Sequence, residues 1–313
     1  MKDKIALFAG NSNPELAMEI AAYLKTPLGK VELKKFADGE SYVNYMESVR
    51  GRDIFILQST CDPVNDNLME MLIMIDAAKR AAAERITCVI PFYGYAKQDR
   101  KARDREPITA KLVAKLLQAA GADAILTMDL HADQIQGFFD ITADFLYASG
   151  PLVKYFEKKK IENLVVVSPD IGSSRRARSY AKRLGAPLAI VDKRRPKPNQ
   201  SEVLHLIGDV KGKNAVIVDD EINTAGTIVN AAEAVLKHGA KEVYAMASHA
   251  VFCGPAIERL EKSPFREIIV TNSIPLRKKL SKVKVVSIAP LLGEAIRCLH
   301  ENKSVSQLLN PAK

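Results

Sequence analysis

Residues 216–227 read Val-Ile-Val-Asp-Asp-Glu-Ile-Asn-Thr-Ala-Gly-Thr. An apolar run, then acids, then small residues before a new apolar-periodic segment predict a buried strand, a tight loop and a helix start. The first N–H groups of a helix have no intrahelical partner and carry partial positive charge, so small residues there let a phosphate approach closely. The acids before the loop can accept hydrogen bonds from sugar hydroxyls. The stretch predicts a cradle for a phosphorylated sugar; an ordinary strand–turn–helix with an acidic cap is the plainer alternative.

The rest of the chain alternates strand-like and helix-like segments, which predicts an α/β fold with largely parallel sheets. Strands are expected at 5–9, 31–36, 53–58, 88–91, 124–128, 164–168, 188–191, 215–218, 242–247 and 268–271. Helices are expected from Pro14 and at 66–82, 108–120, 173–184 and 226–238. The last three are each followed by a glycine, which can take the left-handed conformation after a helix end.

Two domains are expected from the length of 313 residues. A boundary falls near residues 145–160, and both halves read as similar α/β units. We expect an N-terminal domain at 1–148 and a C-terminal domain at 149–313, with the last ~20 residues packing back on the first domain.

Composition is that of an ordinary globular protein, with 47% apolar residues and a net charge of +9. The charge favours anionic ligands. With no tryptophan and few aromatic residues, no stacking platform for nucleic acid is evident, and the prediction of a nucleic-acid partner rests on charge alone.

The apolar runs are too short to predict a membrane span, and the first strand reads poorly as a signal peptide, so a cytoplasmic location is expected. The four scattered cysteines suggest neither a disulfide framework nor a zinc site.

Several further motifs narrow the interpretation. Residues 36–40 read Phe-Ala-Asp-Gly-Glu, and 95–100 read Tyr-Ala-Lys-Gln-Asp-Arg. Five further short motifs lie at 66–70, 105–111, 129–132, 134–139 and 192–196. The loop at 216–227 resembles the ribose-phosphate loop of the phosphoribosyltransferase fold, and the whole set, in this order, resembles the ribose-phosphate pyrophosphokinase family. That resemblance implies two similar phosphoribosyltransferase-like domains, each a mainly parallel sheet flanked by helices. It also implies transfer of diphosphate from ATP to the 1-hydroxyl of ribose 5-phosphate.

The resemblance also implies residue roles. His131 and Asp170 would hold Mg²⁺, although magnesium generally prefers oxygen ligands. Lys193 and Arg195 would be the catalytic pair on a mobile lid, with Arg195 also facing the sugar phosphate. The residues implied to bind ribose 5-phosphate are Asp219, Asp220, Asn223, Thr224, Ala225, Gly226 and Thr227. The residues implied to bind ATP are Asp38, Gly39 and Glu40, reaching in from a neighbouring subunit, and Lys97, Gln98 and Asp99. A homohexamer is implied as well.

Three departures from the family pattern stand out. Lys97 replaces an arginine more often found there, which keeps the charge but loses the planar fork. Asn223 replaces an aspartate, and Ser-Ser-Arg at 173–175 replaces Gly-Val-Val. Asn223 and the change at 173–175 leave open a non-catalytic regulatory subunit of the same family, although Lys193, Arg195, His131 and Asp170 are intact. A phosphoribosyltransferase that consumes the activated sugar is a second alternative, since it would explain the loop at 216–227. The second alternative leaves the first ~145 residues without a purpose.

Overall fold

The computed structural model describes residues 5–194 and 203–309. Its first half is built on a parallel five-stranded sheet in the order β1 (Ala6–Ala9), β4 (Asp53–Leu57), β5 (Arg85–Ile90), β6 (Ala124–Met128) and β7 (Thr142–Leu146). A separate antiparallel hairpin consists of β2 (Val31–Lys35) and β3 (Ser41–Tyr45). The helices of this half are α1 (Pro14–Leu24), α2 (Val64–Arg80) and α3 (Thr109–Ala120), with a 3₁₀ turn at Asp133–Phe138.

The second half is built on a seven-stranded sheet. Its strand order is β10 (Val203–Ile207), β9 (Leu188–Arg194), β8 (Leu164–Ser168), β11 (Asn214–Ile222), β12 (Glu242–Ala250), β13 (Glu267–Thr271) and β14 (Val283–Val286). Neighbouring strands are parallel except for the β9–β10 pair. The helices are α4 (Ser149–Glu157), α5 (Ser174–Leu184), α6 (Gly226–Lys237), α7 (Ala256–Lys262), α8 (Ala289–His300) and α9 (Ser306–Leu309). The predicted α/β fold of two helix-flanked, mainly parallel sheets is confirmed.

Local sequence signals explain several element ends. The Asn13 side chain accepts a hydrogen bond from the Leu16 N–H at 3.2 Å, and Pro14 occupies the first turn of α1. Gly121 and Gly185 take left-handed conformations directly after α3 and α5. Those two helices therefore stop where the sequence predicted.

Among the strands that run further than expected, β9 and β11 have extensions that affect the site. β11 was expected to end at Val218, but its ladder with β12 continues to Ile222, so the acids lie on the strand itself. β9 was expected to end at Val191 and give way to an irregular loop. Its antiparallel pairing with β10 instead carries it to Arg194, which puts the backbone of Lys193 in a strand. In both cases a neighbouring strand supplies hydrogen bonds that local sequence does not reveal.

One apolar core is shared by the two halves. It contains Leu16 and Ile20 of α1, Val218 of β11, and Leu292 and Ile296 of α8, all buried. The segment after β14 thus returns to the first half. We propose a domain boundary between residues 148 and 149, where α4 begins.

Polar contacts reinforce this return. The Arg85 guanidinium donates to the Leu299 carbonyl at 2.9 Å, and His300 Nδ1 lies 2.8 Å from Asp53 Oδ2. Gly293 also allows close approach of α8 to α1, since a Cβ there would lie 2.4 Å from Tyr23 Cδ1. The two sheets are therefore held in a fixed relation by the last long helix.

We expect Leu292→Ala to lower the free energy of unfolding by about 2–5 kcal/mol, because it opens a cavity in the shared core. The same substitution at Leu112, which is 52% exposed on α3, should change it by no more than about 0.5 kcal/mol. Chemical denaturation followed by circular dichroism measures both. Equal losses in the two variants would contradict the shared core.

Candidate active site

Two clefts open beside the carboxyl ends of strands from both sheets, the usual place for ligands in α/β folds. The histidine cleft, of about 690 Å³, includes His131, Asp170 and Asp220 in its lining. The lysine cleft, of about 1030 Å³, includes Lys97 and Glu221. Strand β11 and the loop after β5 contribute residues to both clefts and so form the wall between them.

A buried carboxylate links the two sheets in the histidine cleft. Asp220 Oδ2 on β11 lies 2.9 Å from Nδ1 of His131, which follows β6. Asp220 Oδ1 accepts a hydrogen bond from Arg176 Nη1 of α5 at 2.8 Å. The Arg176 guanidinium also donates to the Leu130 carbonyl at 3.3 Å. The chain Arg176–Asp220–His131 therefore fixes the loop after β6 against the second sheet.

The neighbouring acid, Asp219, has different partners. Its Oδ1 accepts hydrogen bonds from the Ser173 hydroxyl at 3.0 Å and from the Asp220 N–H at 2.9 Å. The Ser173 N–H donates in turn to Asp170 Oδ1 at 2.8 Å. Ser173, one of the departures from the family pattern, thus connects Asp170, which follows β8, with Asp219 on β11.

The two adjacent acids have opposite pKa shifts. Burial raises the pKa of Asp219 well above its usual value, and the charge of Asp220 raises it further. Burial also acts to raise the pKa of Asp220, but the hydrogen bond with His131 and the charge of Arg176 outweigh it, so that pKa lies below the usual range. The hydrogen bond to Asp220 raises the pKa of His131. Asp220 is therefore the ionised member of the pair.

The predicted ATP residues divide between the clefts. Lys97 Nζ lies 2.5 Å from Glu221 Oε1. This ion pair joins the loop after β5 to β11, the two parts of the wall between the clefts. Gln98 also lines the lysine cleft and accepts a hydrogen bond from the Thr109 hydroxyl at 2.5 Å. Asp99 lines the histidine cleft and accepts a hydrogen bond from the Gln134 side chain. Three consecutive residues therefore span both clefts.

The phosphate loop follows β11 directly. Ala225 precedes α6 with φ of 62°, a left-handed conformation that orients the first turn. The Thr224 carbonyl accepts a hydrogen bond from Arg259 Nη1 at 3.0 Å, and the Asn223 side chain accepts one from the Cys253 thiol. The first backbone hydrogen bond of α6 runs from the Val229 N–H to the Ala225 carbonyl. The N–H groups before Val229 in the first turn are therefore available to a ligand or to solvent. The geometry suits an anion.

Other predicted residues are not brought together with His131. Asp38, Gly39 and Glu40 form the exposed turn of the β2–β3 hairpin, where Gly39 has φ of 95°, and they line neither cleft. Residues 223–227 also lie outside both linings, although Asp220 and Glu221, just before them on β11, line the histidine cleft and the lysine cleft respectively. Lys193 lies on β9, but its side chain is not among those described, and Arg195 lies outside the described residues.

The donor set of the histidine cleft fits a cation that arrives with a polyphosphate. Within residues 5–194 and 203–309, no three His, Cys, Asp or Glu side chains gather in a way that could hold a metal by themselves. Magnesium commonly uses one or two protein ligands and takes the rest from water and substrate phosphates. His131 and Asp170, on the same cleft, meet that lesser requirement.

Sequence reasoning missed three residues that shape the site. Arg176, Glu221 and Arg259 contact Asp220, Lys97 and the Thr224 carbonyl respectively. Glu221 stood inside the quoted segment, so the acid run was a usable signal. Arg176 and Arg259 sit in helices whose basic residues gave no sign of pointing inward.

The strand–acid–loop–helix geometry on a parallel sheet defines the class: the protein has a phosphoribosyltransferase-type α/β architecture. Residues 5–121 match the N-terminal domain of ribose phosphate pyrophosphokinase, and residues 194–310 match the phosphoribosyl synthetase-associated domain. The chain is 59% identical to the ribose-phosphate pyrophosphokinase of Caldanaerobacter subterraneus subsp. tengcongensis, over 98% of each chain. It is 56% identical to that of Clostridium acetobutylicum, over 97% of each.

A solved structure agrees. The phosphoribosylpyrophosphate synthetase of Mycobacterium smegmatis superposes with a TM-score of 0.91 at 46% identity, covering 96% of this chain and all of that one. The chain therefore belongs to the ribose-phosphate pyrophosphokinase family of enzymes, as its motifs predicted. Because the likeness includes the first half, the phosphoribosyltransferase alternative fails. Among the helices that the structure describes, none combines the length and apolar character needed to cross a bilayer.

In metal-free protein, the His131 imidazole should titrate above 6.5, because its hydrogen bond to Asp220 favours the charged ring. The raised folded-state pKa means that this pairing stabilises the fold fully below the unfolded histidine pKa and is lost as pH rises through the folded value. Asp220→Asn should bring the midpoint down. NMR titration of the imidazole Cε1–H measures it, and His131→Asn identifies the resonance. A midpoint at or below 6.5 in the unsubstituted protein would refute the pairing.

Proposed function

We propose that the chain transfers the terminal diphosphate of ATP to the 1-hydroxyl of ribose 5-phosphate, giving 5-phosphoribosyl 1-diphosphate and AMP. The observation that supports this is that the phosphate loop and the histidine cleft share the acids of β11. Asp220 lines the cleft, and Asp219 is hydrogen-bonded to Ser173, which also lines it. A sugar phosphate held by the loop would thus present its ring beside residues suited to a metal-bound triphosphate. The names of the related proteins agree with this reaction.

The sugar side of the site belongs to β11 and α6. The loop residues Asn223, Thr224, Ala225, Gly226 and Thr227 receive the 5-phosphate at the helix N-terminus. Asp219 accepts hydrogen bonds from ring hydroxyls, since the bonds that it accepts from the Ser173 hydroxyl and the Asp220 N–H both use Oδ1. Small side chains matter here, because a Cβ on Gly226 would already lie 3.2 Å from Arg259 Nη1.

The nucleotide side belongs to the loop after β5. Lys97, Gln98 and Asp99 lie along the wall between the clefts and meet the ATP phosphates and ribose. The hairpin turn at Asp38, Gly39 and Glu40 contacts the adenine of the ATP that is bound in a neighbouring subunit. This fits its position, since the turn is exposed and lines neither cleft of its own chain. This sharing of ATP contacts between subunits is the reason to propose a homo-oligomer, and the family resemblance is the reason to propose a homohexamer. A cytoplasmic location is proposed separately.

His131 and Asp170 are the residues that would hold Mg²⁺ with the incoming ATP. The bound ion supplies charge neutralisation on the phosphate oxygens. Asp170 is already oriented by the Ser173 N–H at 2.8 Å, so its carboxylate needs little rearrangement.

The chemical step is an in-line displacement. A bond forms between the ribose O1 and the β-phosphorus, and the bond from the β-phosphorus to the oxygen that bridges it to the α-phosphorus breaks. AMP leaves with that oxygen and its electron pair, and the proton of the 1-hydroxyl is released to solvent. Phosphoryl transfer of this kind depends mainly on positioning and charge stabilisation. Lys193 and Arg195 place positive charge beside the diphosphate group as it is transferred, and Arg195 also faces the sugar phosphate.

Purified protein given Mg²⁺, ATP and ribose 5-phosphate should release AMP and a sugar diphosphate, and omitting ribose 5-phosphate should abolish AMP. Chromatography of the nucleotides measures this directly. Release of ADP in place of AMP, or AMP release that ignores the sugar, would exclude the proposed reaction. A regulatory subunit without activity would release neither.

Lys193→Ala should lower kcat by at least about a hundredfold with a small change in KM for either substrate, because a cation that acts in the transition state contributes several kcal/mol there. Lys158→Ala, an exposed lysine just after α4, is the matched control and should keep normal rates. Steady-state kinetics decides. Near-normal turnover of the Lys193 variant removes that residue from the mechanism.

A further inference from the structure

We propose that Asp220 is a positioning residue: its carboxylate, held by Arg176, orients the His131 imidazole so that Nε2 is presented to a divalent cation in the histidine cleft. The idea rests on the proposed function for the cation and narrows the role of Asp220. The two adjacent acids then have separate tasks, with Asp219 serving the sugar and Asp220 serving the histidine.

Both oxygens of Asp220 are already engaged. Oδ2 lies 2.9 Å from His131 Nδ1, and Oδ1 lies 2.8 Å from Arg176 Nη1. The Asp220 side chain is only 6% exposed. A sugar hydroxyl could reach this carboxylate only by displacing a charged or polar partner from a buried site, which is strongly unfavourable.

The imidazole has a defined orientation as a result. An ionised carboxylate can only accept hydrogen bonds, so Nδ1 of His131 must carry the proton. In the neutral ring, Nε2 then bears the lone pair, and none of the described residues hydrogen-bonds to it. Histidines that bind metals generally donate their other N–H to a carboxylate in this way.

Arg176 keeps the carboxylate in place. Its side chain is 21% exposed and lies 3.6 Å from Asp219 Oδ1 as well as 2.8 Å from Asp220 Oδ1. Its second hydrogen bond, to the Leu130 carbonyl, holds the residue that directly precedes His131. The guanidinium thus fixes both the backbone before the histidine and the carboxylate that faces its ring.

Asp219 makes no hydrogen bond to the His131 imidazole among the described residues. Its hydrogen bonds run to the Ser173 hydroxyl and to the Asp220 N–H. The two positions therefore form a matched pair for substitution by asparagine. His131 and Arg176 use different oxygens of Asp220, and asparagine replaces one of those oxygens by an NH₂ group. At position 220 it can therefore accept only one of the two hydrogen bonds in this geometry.

Mn²⁺ alone, added to the full-length protein without nucleotide and followed by the electron paramagnetic resonance of the free ion, is the probe. Asp220→Asn should weaken Mn²⁺ affinity by ~10- to 100-fold, the usual effect of removing the hydrogen-bond partner of a metal-bound histidine. Asp219→Asn should leave it within about twofold, because the pair of Asp220 and His131 is intact there. Arg176→Lys keeps the charge but loses the fork, and should weaken Mn²⁺ binding in the same direction as Asp220→Asn.

A second readout needs no metal. Nitrogen-15 NMR of the imidazole at alkaline pH should show His131 protonated at Nδ1, and Asp220→Asn should shift the ring toward the Nε2–H form. Unchanged Mn²⁺ affinity in Asp220→Asn, equal losses in both asparagine variants, absence of Mn²⁺ binding by the unsubstituted protein, or an Nε2-protonated ring there would each overturn the proposal. AMP release by the unsubstituted protein is scored separately, so failure of this positioning role is distinguishable from failure of the proposed reaction.

Discussion

The Asp220 carboxylate lies between a guanidinium and an imidazole, 2.8 Å from Arg176 Nη1 and 2.9 Å from His131 Nδ1. A buried carboxylate is tolerated only when it is paired and hydrogen-bonded, so its two partners must stay in place. One partner comes from a helix of the second half and the other from the loop after β6 in the first. This one group therefore joins three elements from the two halves of the chain at the histidine cleft: β11, α5 and the loop after β6.

Such a contact requires that the two sheets keep a fixed relation, and the shared core provides it. Leu292 and Ile296 of α8 are buried in the same core as Leu16 of α1 and Val218 of β11. Val218 immediately precedes the paired acids, so the packing that joins the halves also anchors the strand that carries the chemistry. Precise placement of charged groups by rigid elements is the condition under which electrostatic stabilisation of a transition state is effective.

The sequence predicted the local parts of this arrangement and missed the long-range ones. The strands at 124–128 and 164–168 were predicted with the bounds that the structure has, because continuous apolar runs mark buried parallel strands. The ends of β9 and β11 were wrong, since pairing with β10 and β12 extends them through polar residues. Inward-facing Arg176 and the pairing of Lys97 with Glu221 could not be predicted, because each joins residues more than forty positions apart.

The central claim is that one site holds the sugar phosphate at the start of α6 and the triphosphate over the histidine cleft, and a crystal structure with ribose 5-phosphate and α,β-methylene ATP tests it most directly. The analogue cannot release AMP, so both substrates should stay bound. The account predicts the 5-phosphate against the backbone N–H groups of 224–227, a ring hydroxyl on Asp219, and the β-phosphorus in line with the ribose O1. Ribose 5-phosphate bound away from that loop, or the two ligands in clefts with no common boundary, would contradict it.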